Sequence, residues 1–183
     1  MLRMLEIEVP GKDFWDESNE EFIYVKGCTL QLEHSLVSLS KWESKWCKAF
    51  LSKRDKTDEE TLDYVRCMTI TKNVDPRIYL ILTDSNIRKI NDYIASPMTA
   101  TCFFDEKKAL GSNSDTITSE LIYYWMIALN IPVEFEKWHL NRLITLIKIC
   151  NVKNNPKKMG KGELMRRNKA MNAARKKRLK TKG

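Results

Sequence analysis

The stretch Ile117–Asn151, ITSELIYYWMIALNIPVEFEKWHLNRLITLIKICN, is the densest apolar part of the chain and decides its fold. Ile117, Leu121, Tyr124 and Ala128 recur at helical spacing, and the apolar residues between them leave little of that helix polar. We therefore expect a helix that is mostly buried and that anchors the core.

The tripeptide Asn130-Ile131-Pro132 interrupts this helix. Proline disfavours helical geometry in the residue before it, yet it suits the first turn of a new helix. Glu134 and Glu136 fall in that turn, where the helix dipole favours negative charge. The apolar residues from Leu140 to Ile147 continue at helical spacing. The pattern predicts two helices joined as a hairpin or as a sharply kinked pair.

Length and composition favour one domain with an appendage. The chain has 183 residues, of which 43% are hydrophobic, and no run approaches the roughly 20 apolar residues of a membrane span. The N-terminal residues lack the uninterrupted apolar segment of a signal peptide, so we expect a cytoplasmic protein without a membrane partner. The five cysteines are odd in number and form no CxxC pair, which favours reduced, buried thiols.

The net charge of +8 is divided very unevenly along the chain. Val152–Gly183 holds 13 Lys and Arg against one acid, whereas the rest holds 19 against 23. We therefore predict a helical domain at 1–151 and a basic tail at 152–183, flexible or helical when docked. The tail is either an electrostatic anchor, which binds phosphates or an acidic protein surface, or a solvated segment. The anchor residues would be Arg166, Arg167, Lys169, Arg175, Lys176, Lys177 and Arg178.

Two short runs near the N-terminus have strand character. Met4–Val9 alternates apolar and acidic residues, and Glu21–Lys26 is rich in β-branched and aromatic residues. The spacing allows a hairpin in which a polar segment holding Phe14 and Trp15 forms a long loop. Such a two-stranded element is marginal alone, so it must lie against helices.

A second β element is predicted farther along. Met98–Phe104 alternates β-branched and aromatic residues, Asp105–Asp115 is turn-like, and Thr116–Thr118 could pair back as a strand. A mobile loop at the same place fits the pattern equally well.

The apolar residues from Leu32 to Leu51 step by three and four, which predicts an amphipathic helix of about five turns. Trp42 and Trp46 lie one turn apart on its apolar side. They form either a core face or a surface that docks a partner, and large aromatic residues on helices are more often buried.

Three helix start signals follow. Each consists of two residues. The side chain of the first can accept a hydrogen bond from a helical amide, and the second is suited to the first turn of a helix. They are Thr57 with Glu60, Asp75 with Pro76, and Thr83 with Asp84. We expect a helix to begin at each signal, and Ser96-Pro97 to close the last one.

The sequence offers no catalytic or metal-binding pattern. The only histidines are His34 and His139, both in apolar helical surroundings, where a satisfied core histidine is more common than a catalytic one. There is no HExxH, CxxC or HxH motif, and no glycine-rich phosphate loop. We expect a non-enzymatic protein without a cofactor or a metal, whose fold is mainly α: a single helical domain with one or two minor β-hairpin elements and a basic C-terminal tail.

Four segments together resemble a known family. They are HSLVSLSKWESKW (His34–Trp46), PMTAT (Pro97–Thr101), the stretch Ile117–Leu146, and the ending NAARKKRLKTKG (Asn172–Gly183). The chain resembles small proteins of tailed double-stranded DNA bacteriophages, encoded among virion-morphogenesis genes near the tail tape-measure gene. The resemblance covers most of the chain.

This resemblance implies a role as a tail assembly chaperone. Such a protein binds the aggregation-prone, helical tape-measure protein, or the tail tube protein, in the host bacterial cytoplasm. The alternatives are a structural neck or tail component that stays in the virion, and an accessory protein that binds nucleic acid nonspecifically through its basic tail. Self-association into a homo-oligomer is also open. The candidate partner-binding residues are Trp42, Trp46, Tyr123, Trp125 and Trp138, with plain core packing as the alternative at each.

Overall fold

The computed structural model of the chain describes residues 4–16, 20–101, 103, 116–154 and 161–179. It is mainly α, as the sequence predicts, and its described strands lie in the N-terminal region. The strands are β1 (Leu5–Val9), β2 (Lys12–Asp16), β3 (Glu21–Val25) and β4 (Cys28–Leu32). The α-helices are α1 (Leu36–Trp46), α2 (Asp58–Met68), α3 (Asp84–Ala95), α4 (Ser119–Ala128), α5 (Leu140–Asn154) and α6 (Lys161–Leu179). Short 3-10 helices span Pro76–Ile81 and Val133–Lys137.

The chain divides into two compact units, Met1–Lys148 and Ile149–Gly183. The first unit holds the four strands, α1 to α4 and most of α5, and the second holds the end of α5 and α6. This boundary falls inside a helix, so it does not show that either part folds alone. The predicted division into 1–151 and 152–183 therefore stays a prediction.

The four strands form one antiparallel ribbon with a single break. Val9 pairs with Cys28 before the break and Lys12 pairs with Val25 after it, so the same register continues across it. The predicted hairpin is therefore wrong in its pairing. Leu5–Val9 pairs with β4 and not with Glu21–Lys26, and the segment predicted as a long loop contains the strand β2. Strand pairing can join residues that are far apart in the sequence. Two segments with strand-like patterns therefore need not pair with each other.

The predicted helix Leu32–Leu51 is shorter at both ends in the structure. Leu32 lies in β4 and forms an antiparallel bridge with Thr69, at the end of α2. α1 begins after Ser35, whose side chain caps it, and ends at Cys47, where φ is 50°. Leu32 fits the helical period by coincidence, because a buried strand position needs the same residue type as a buried helix position.

The three predicted helix starts are confirmed. Thr57 and Thr83 form capping boxes at the beginnings of α2 and α3, and Asp75 caps the 3-10 helix that begins at Pro76. α3 ends at Ser96, as the sequence predicts. These signals depend on residues at most three apart in the chain, which is why they can be predicted from sequence.

The core consists of two clusters of buried side chains that meet at α1. The first lies among β1, β3, β4, α2, the 3-10 helix at 76–81 and α3, and it receives Trp42 from α1. The second lies among α1, α4 and α5, and it receives Leu36 and Leu39 from α1. Phe50, just after α1, packs against both clusters. α1 is therefore the element that both halves of the core share.

The break predicted between the two apolar helices is confirmed, but α4 is not mostly buried. Its buried residues are Ser119, Ile122 and Met126, while Tyr124 and Ile127 are 62% and 77% exposed. Nearly every residue of this helix is apolar, so the sequence contains no contrast that would identify the buried side.

Glu134 and Glu136 do not lie in the first turn of α5. They belong to the separate 3-10 helix, which is followed by Trp138 in extended geometry before α5 begins at Leu140. The predicted second β element is also not formed by the described residues 98–101, 103 and 116–118. The rest of Met98–Phe104 and the predicted turn-like segment Asp105–Asp115 lie outside the described residues.

A buried carboxylate joins the end of α1 to the beginning of α4. Glu43 is 6% exposed, and its Oε1 accepts a hydrogen bond from the backbone N of Phe50 at 2.9 Å. Its Oε2 accepts one from the backbone N of Ser119 at 2.6 Å. Because Ser119 begins α4, the carboxylate satisfies an amide that has no partner within the helix, and its charge complements the helix dipole.

Replacing this carboxylate by an amide should destabilise the fold. In Glu43→Gln only one side-chain oxygen remains to accept, so one buried amide loses its partner. We expect the free energy of unfolding to fall by about 1–3 kcal/mol, measured by urea denaturation. Glu8→Gln, an exposed change of the same type, should change it by less than about 0.5 kcal/mol. Equal losses in the two variants would contradict the role of Glu43.

The break in the ribbon depends on two glycines whose backbones approach closely. A Cβ added at Gly27 would lie 2.5 Å from both the backbone N of Gly11 and the backbone O of Val9. Backbone atoms in a paired ribbon cannot move aside as the end of a flexible side chain can. Gly27 is therefore required by the close approach of the two chain segments.

Adding a methyl group at this position should be costly. We expect Gly27→Ala to lower the free energy of unfolding by about 1–3 kcal/mol because of overpacking. Gly162→Ala is the matched control, since a Cβ there meets nothing within 4 Å. The urea midpoint of that control should not decrease. A midpoint for Gly27→Ala equal to that of the unmodified protein would show that the ribbon accommodates the methyl group.

Candidate protein-binding surface

The end of the ribbon beyond its break presents three aromatic side chains to solvent. Trp15, Phe22 and Tyr24 are 44%, 73% and 65% exposed. Trp15 and Phe22 pair across the two strands, and their ring centroids lie 4.9 Å apart in an edge-to-face arrangement. We call these three residues the aromatic face. Rings of this size are usually buried, so a cluster of three exposed ones is typical of an interaction surface.

The alternation of the strands produces this face. Successive strand residues point to opposite sides, and on the other side Val25 is buried while Phe14 packs against the first core cluster. Phe22 and Tyr24 must then point outward. Asp13 pairs with Tyr24 and is itself exposed, so a carboxylate lies beside the rings.

Tyr24 is held against the break in the ribbon. A Cβ added at Gly11 would lie 2.5 Å from the Tyr24 Oη atom, so the hydroxyl end of the phenol lies against this glycine. The contact restricts the ring without burying it. A ring that is fixed before binding loses little conformational entropy when a partner covers it.

Two of the predicted partner-binding residues instead join α1 to α2. Trp42 is 1% exposed, and its Nε1 donates to the backbone O of Glu60 at 2.8 Å. Trp46 is half-buried, and its Nε1 donates to Asp63 Oδ2 at 2.8 Å. Trp42 is therefore a core residue, and its burial does not fit a surface role. Trp46 has its polar atom occupied within the protein.

Tyr123 and Trp125 pack partly against the second core cluster. The Tyr123 hydroxyl donates to Glu136 Oε2 at 2.8 Å, which ties α4 to the 3-10 helix. Burial raises the pKa of the Tyr123 phenol, and the neighbouring carboxylate raises it further. This tyrosine is neutral at physiological pH and serves as a hydrogen-bond donor.

Trp138 is half-buried between two neighbours at the surface. Its ring stacks on Phe135 with centroids 4.0 Å apart, and the guanidinium carbon of Arg142 lies 4.1 Å from its ring centroid. Cation–π contacts of this kind contribute roughly 0.5–1 kcal/mol at exposed sites. Both sides of the indole are thus covered within the protein.

A second exposed apolar area lies on α4 and just after it. Tyr124 and Ile127 are on one side of the helix, and Val133 in the 3-10 helix is 61% exposed. This area contains one aromatic ring against three in the aromatic face, so it is the weaker candidate for a surface that binds through rings.

The predicted basic anchor lies on α6. Arg166, Lys169 and Arg175 are exposed. Arg167, Lys176, Lys177 and Arg178 belong to the same helix, but their side chains lie outside the described part of the structure.

The two histidines lie against each other in the core. His34 and His139 are 2% and 6% exposed, with ring centroids 5.0 Å apart. His34 Nδ1 is 2.6 Å from the Tyr64 hydroxyl, and His139 Nε2 is 2.9 Å from the backbone O of Tyr93. A carbonyl oxygen only accepts, so Nε2 of His139 carries the proton. The other ring nitrogen, Nδ1, has no hydrogen-bond partner among the described residues, so this histidine is only partly satisfied.

Both histidines resist protonation. Burial, helped by the nearby His139, lowers the pKa of His34 to about 3. Burial also lowers the pKa of His139. The unfolded chain takes up protons on these rings as the pH falls below about 6.5, whereas the folded protein does not. Stability is therefore fully present above that pH and decreases as the pH falls toward the folded pKa.

We expect the free energy of unfolding to fall between pH 7 and pH 5. The slope should reach at most about 1.4 kcal/mol per pH unit for each proton that only the unfolded chain binds. Urea denaturation at pH 7, 6 and 5 measures it. His34→Gln should show a shallower slope, because one titrating ring is gone. Identical slopes in the variant and the unmodified protein would assign the acid sensitivity to other groups.

Two further kinds of feature are not found among the described residues. No group of three or more His, Cys, Asp or Glu side chains there could hold a metal ion. Within the same ranges, no helix combines the length and the apolar character that crossing a membrane requires.

Comparison with known protein families, with curated proteins and with solved structures found no match. Any assignment of function therefore depends on the surfaces themselves and on the resemblance described above.

The sequence pattern does not predict the aromatic face, because it places Phe14 and Trp15 in a long polar loop and not in a strand. On a strand, neighbours face opposite sides, so one faces the core and the other solvent. The available signal was EFIYV at Glu21–Val25, where Phe22 and Tyr24 alternate with Ile23 and Val25. In a two-stranded ribbon with one covered side, one of these two apolar sets must be exposed.

Proposed function

We propose that the protein acts without catalysis in bacteriophage tail assembly, as a chaperone-like protein that binds the tape-measure protein. The observation that carries this proposal is the aromatic face, three exposed rings on one side of a short ribbon. The resemblance to phage morphogenesis proteins supplies the class of partner. The binding takes place in the host bacterial cytoplasm, before the tail is complete.

The chemistry of the face suits a helical, aggregation-prone partner. Burial of each large ring contributes roughly 1.5–3 kcal/mol, and aromatic residues are the commonest anchors of protein interfaces. The rings project from strands whose other side packs on the core, so they form a firm platform for an apolar helix face. The Asp13 carboxylate beside them favours partner helices that carry Lys or Arg next to their apolar residues.

A holding protein must also release its partner. The aromatic face is a small open surface at the end of a ribbon, not an enclosed groove, so a bound helix keeps most of its own surface free. Tail tube subunits can then cover that helix from its other sides. The exposed Asp13 carboxylate on the same side of the ribbon limits the apolar contact area and hence the affinity.

The direct test is coexpression with the tape-measure protein of the same phage. We expect the unmodified protein to keep it in the soluble fraction. In a triple variant, Trp15→Thr, Phe22→Thr and Tyr24→Thr, affinity should fall by about a hundredfold or more, because three anchor rings are removed. Threonine preserves strand propensity, and thermal unfolding checks that the fold is retained.

The matched control removes three exposed apolar side chains elsewhere: Tyr124→Ala, Ile127→Ala and Val133→Ala. This control should still hold the tape-measure protein. If the control loses binding and the ribbon variant keeps it, the binding surface is on α4. If neither the unmodified protein nor either variant holds the tape-measure protein in solution, the proposed function is wrong.

A second experiment separates a chaperone from a structural component. The tagged protein is purified from infected cells, and its companions are compared with the protein content of mature virions by mass spectrometry. Recovery of the tape-measure protein, with the tagged chain missing from virions, supports the proposal. Presence of the chain in virions at a fixed ratio would overturn it in favour of a structural neck or tail component.

A further inference from the structure

The basic tail carries far more charge than the rest of the chain can neutralise. Val152–Gly183 has 13 cationic residues against one acid, while residues 1–151 have 19 against 23. The net −4 of the body cannot offset the net +12 of the tail. Most of this charge is therefore available to an external polyanion.

The helix α6 concentrates this charge over a short length. It has 19 residues, which corresponds to about 28 Å, and it contains eight of the cations against Glu163 alone. Duplex nucleic acid carries one negative charge per roughly 1.7 Å of its axis. Folded acidic proteins rarely present carboxylates at such a density, so nucleic acid matches this segment better than a protein surface does.

The pattern of α6 also disfavours docking on an apolar surface. Met171 is the partly buried apolar residue of this helix, but the exposed Arg175 follows it at four residues and so lies on the same side. Met165 is 73% exposed on another side. Arg166 and Arg175 are exposed, and their spacing of nine residues puts them on opposite sides of the helix. The helix is therefore suited to a site with negative charge on both flanks, such as a groove lined by two phosphate backbones.

Base stacking is not available to this segment. Val152–Gly183 contains no Phe, Tyr or Trp, and proteins that bind single strands without sequence preference stack the bases on aromatic rings. Backbone phosphates are the remaining target. The major groove of a duplex, about 12 Å wide, admits an α-helix.

We propose that α6 is a binding site for double-stranded nucleic acid, which it contacts through the phosphates on both sides of the major groove without reading the sequence. This activity is separate from the tape-measure binding proposed for the aromatic face, and either can fail without the other.

The test measures the affinity of the full-length protein for a random-sequence 20-base-pair duplex by fluorescence anisotropy, from 0.05 to 0.3 M salt. We expect a dissociation constant of about 10⁻⁶ to 10⁻⁴ M near 0.15 M salt, falling steeply at lower salt. The variant Arg166→Gln, Lys169→Gln, Arg175→Gln should bind about tenfold or more weakly at 0.1 M salt. The slope of the logarithm of its binding constant against the logarithm of the salt concentration should be smaller in magnitude by about 0.9 for each phosphate that the variant no longer neutralises.

The control removes the same charge from the body through Lys53→Gln, Lys72→Gln and Lys89→Gln, which are exposed positions. It should bind like the unmodified protein. Equal losses in the two variants would overturn the assignment to α6, as would the absence of salt-dependent binding.

Two further measurements test the duplex and the helix. Single-stranded DNA and polyglutamate, matched to the duplex in total charge, should compete at least tenfold less effectively than the duplex. Ala170→Pro keeps every charge but breaks the middle of α6, and it should weaken duplex binding several-fold. Equal competition by polyglutamate or the single strand, or unchanged binding by Ala170→Pro, would overturn the proposal in favour of a charged segment that binds any polyanion.

Discussion

The carboxylate of Glu43 closes a long excursion of the chain. Its two oxygens accept hydrogen bonds from Phe50, a few residues ahead, and from Ser119, 76 residues ahead. All of α2, the 3-10 helix at 76–81 and α3 lie between these two positions. Closing a loop of this length costs conformational entropy that grows only slowly with its length. A short charge-assisted bond at a helix start repays part of that cost.

Helix α1, which carries Glu43, is fixed to α2 by two ion pairs. In each pair the carboxylate is buried and the lysine is partly exposed. Asp63 is buried, and Lys45, whose side chain is 57% exposed, contacts it at 2.6 Å. Burial alone would raise the pKa of Asp63, but hydrogen bonds from Lys45 and Trp46 hold it below its usual range. Glu60 caps α2 and also contacts Lys48, whose hydrogen bond lowers the pKa of that carboxyl group. The lysines keep contact with water, so only one partner of each pair is desolvated.

The features that could be predicted from sequence are the local ones. Thr57, Asp75 and Thr83 mark their helix starts because a cap needs only residues two or three apart, and proline at 132 marks the break after α4. The features that could not be predicted depend on distant partners. Leu32 pairs with Leu5 in the ribbon and bridges Thr69, and neither contact is visible in a helical period.

Which aromatic side chains the fold exposes could not be predicted from the sequence, for the same reason. Trp42 is a tryptophan of the core and Trp15 one of the surface, yet each stands next to a charged residue in the sequence. They differ because another part of the chain covers the side of α1 that carries Trp42, but not the side of β2 that carries Trp15. The two histidines illustrate this too, since they are 105 positions apart by residue number and nothing in either segment indicates that the rings meet.

The alternation of β2 and β3 has a consequence for how this protein can evolve. Val25 is buried in the first core cluster and Phe14 packs against it, while Trp15, Phe22 and Tyr24 lie on the opposite side and are largely exposed. We therefore expect substitutions on the outer side to cost less stability than substitutions on the core side, so selection can alter them without unfolding the chain. A descendant of this protein could change its partner by exchanging three outward residues while its scaffold stays the same.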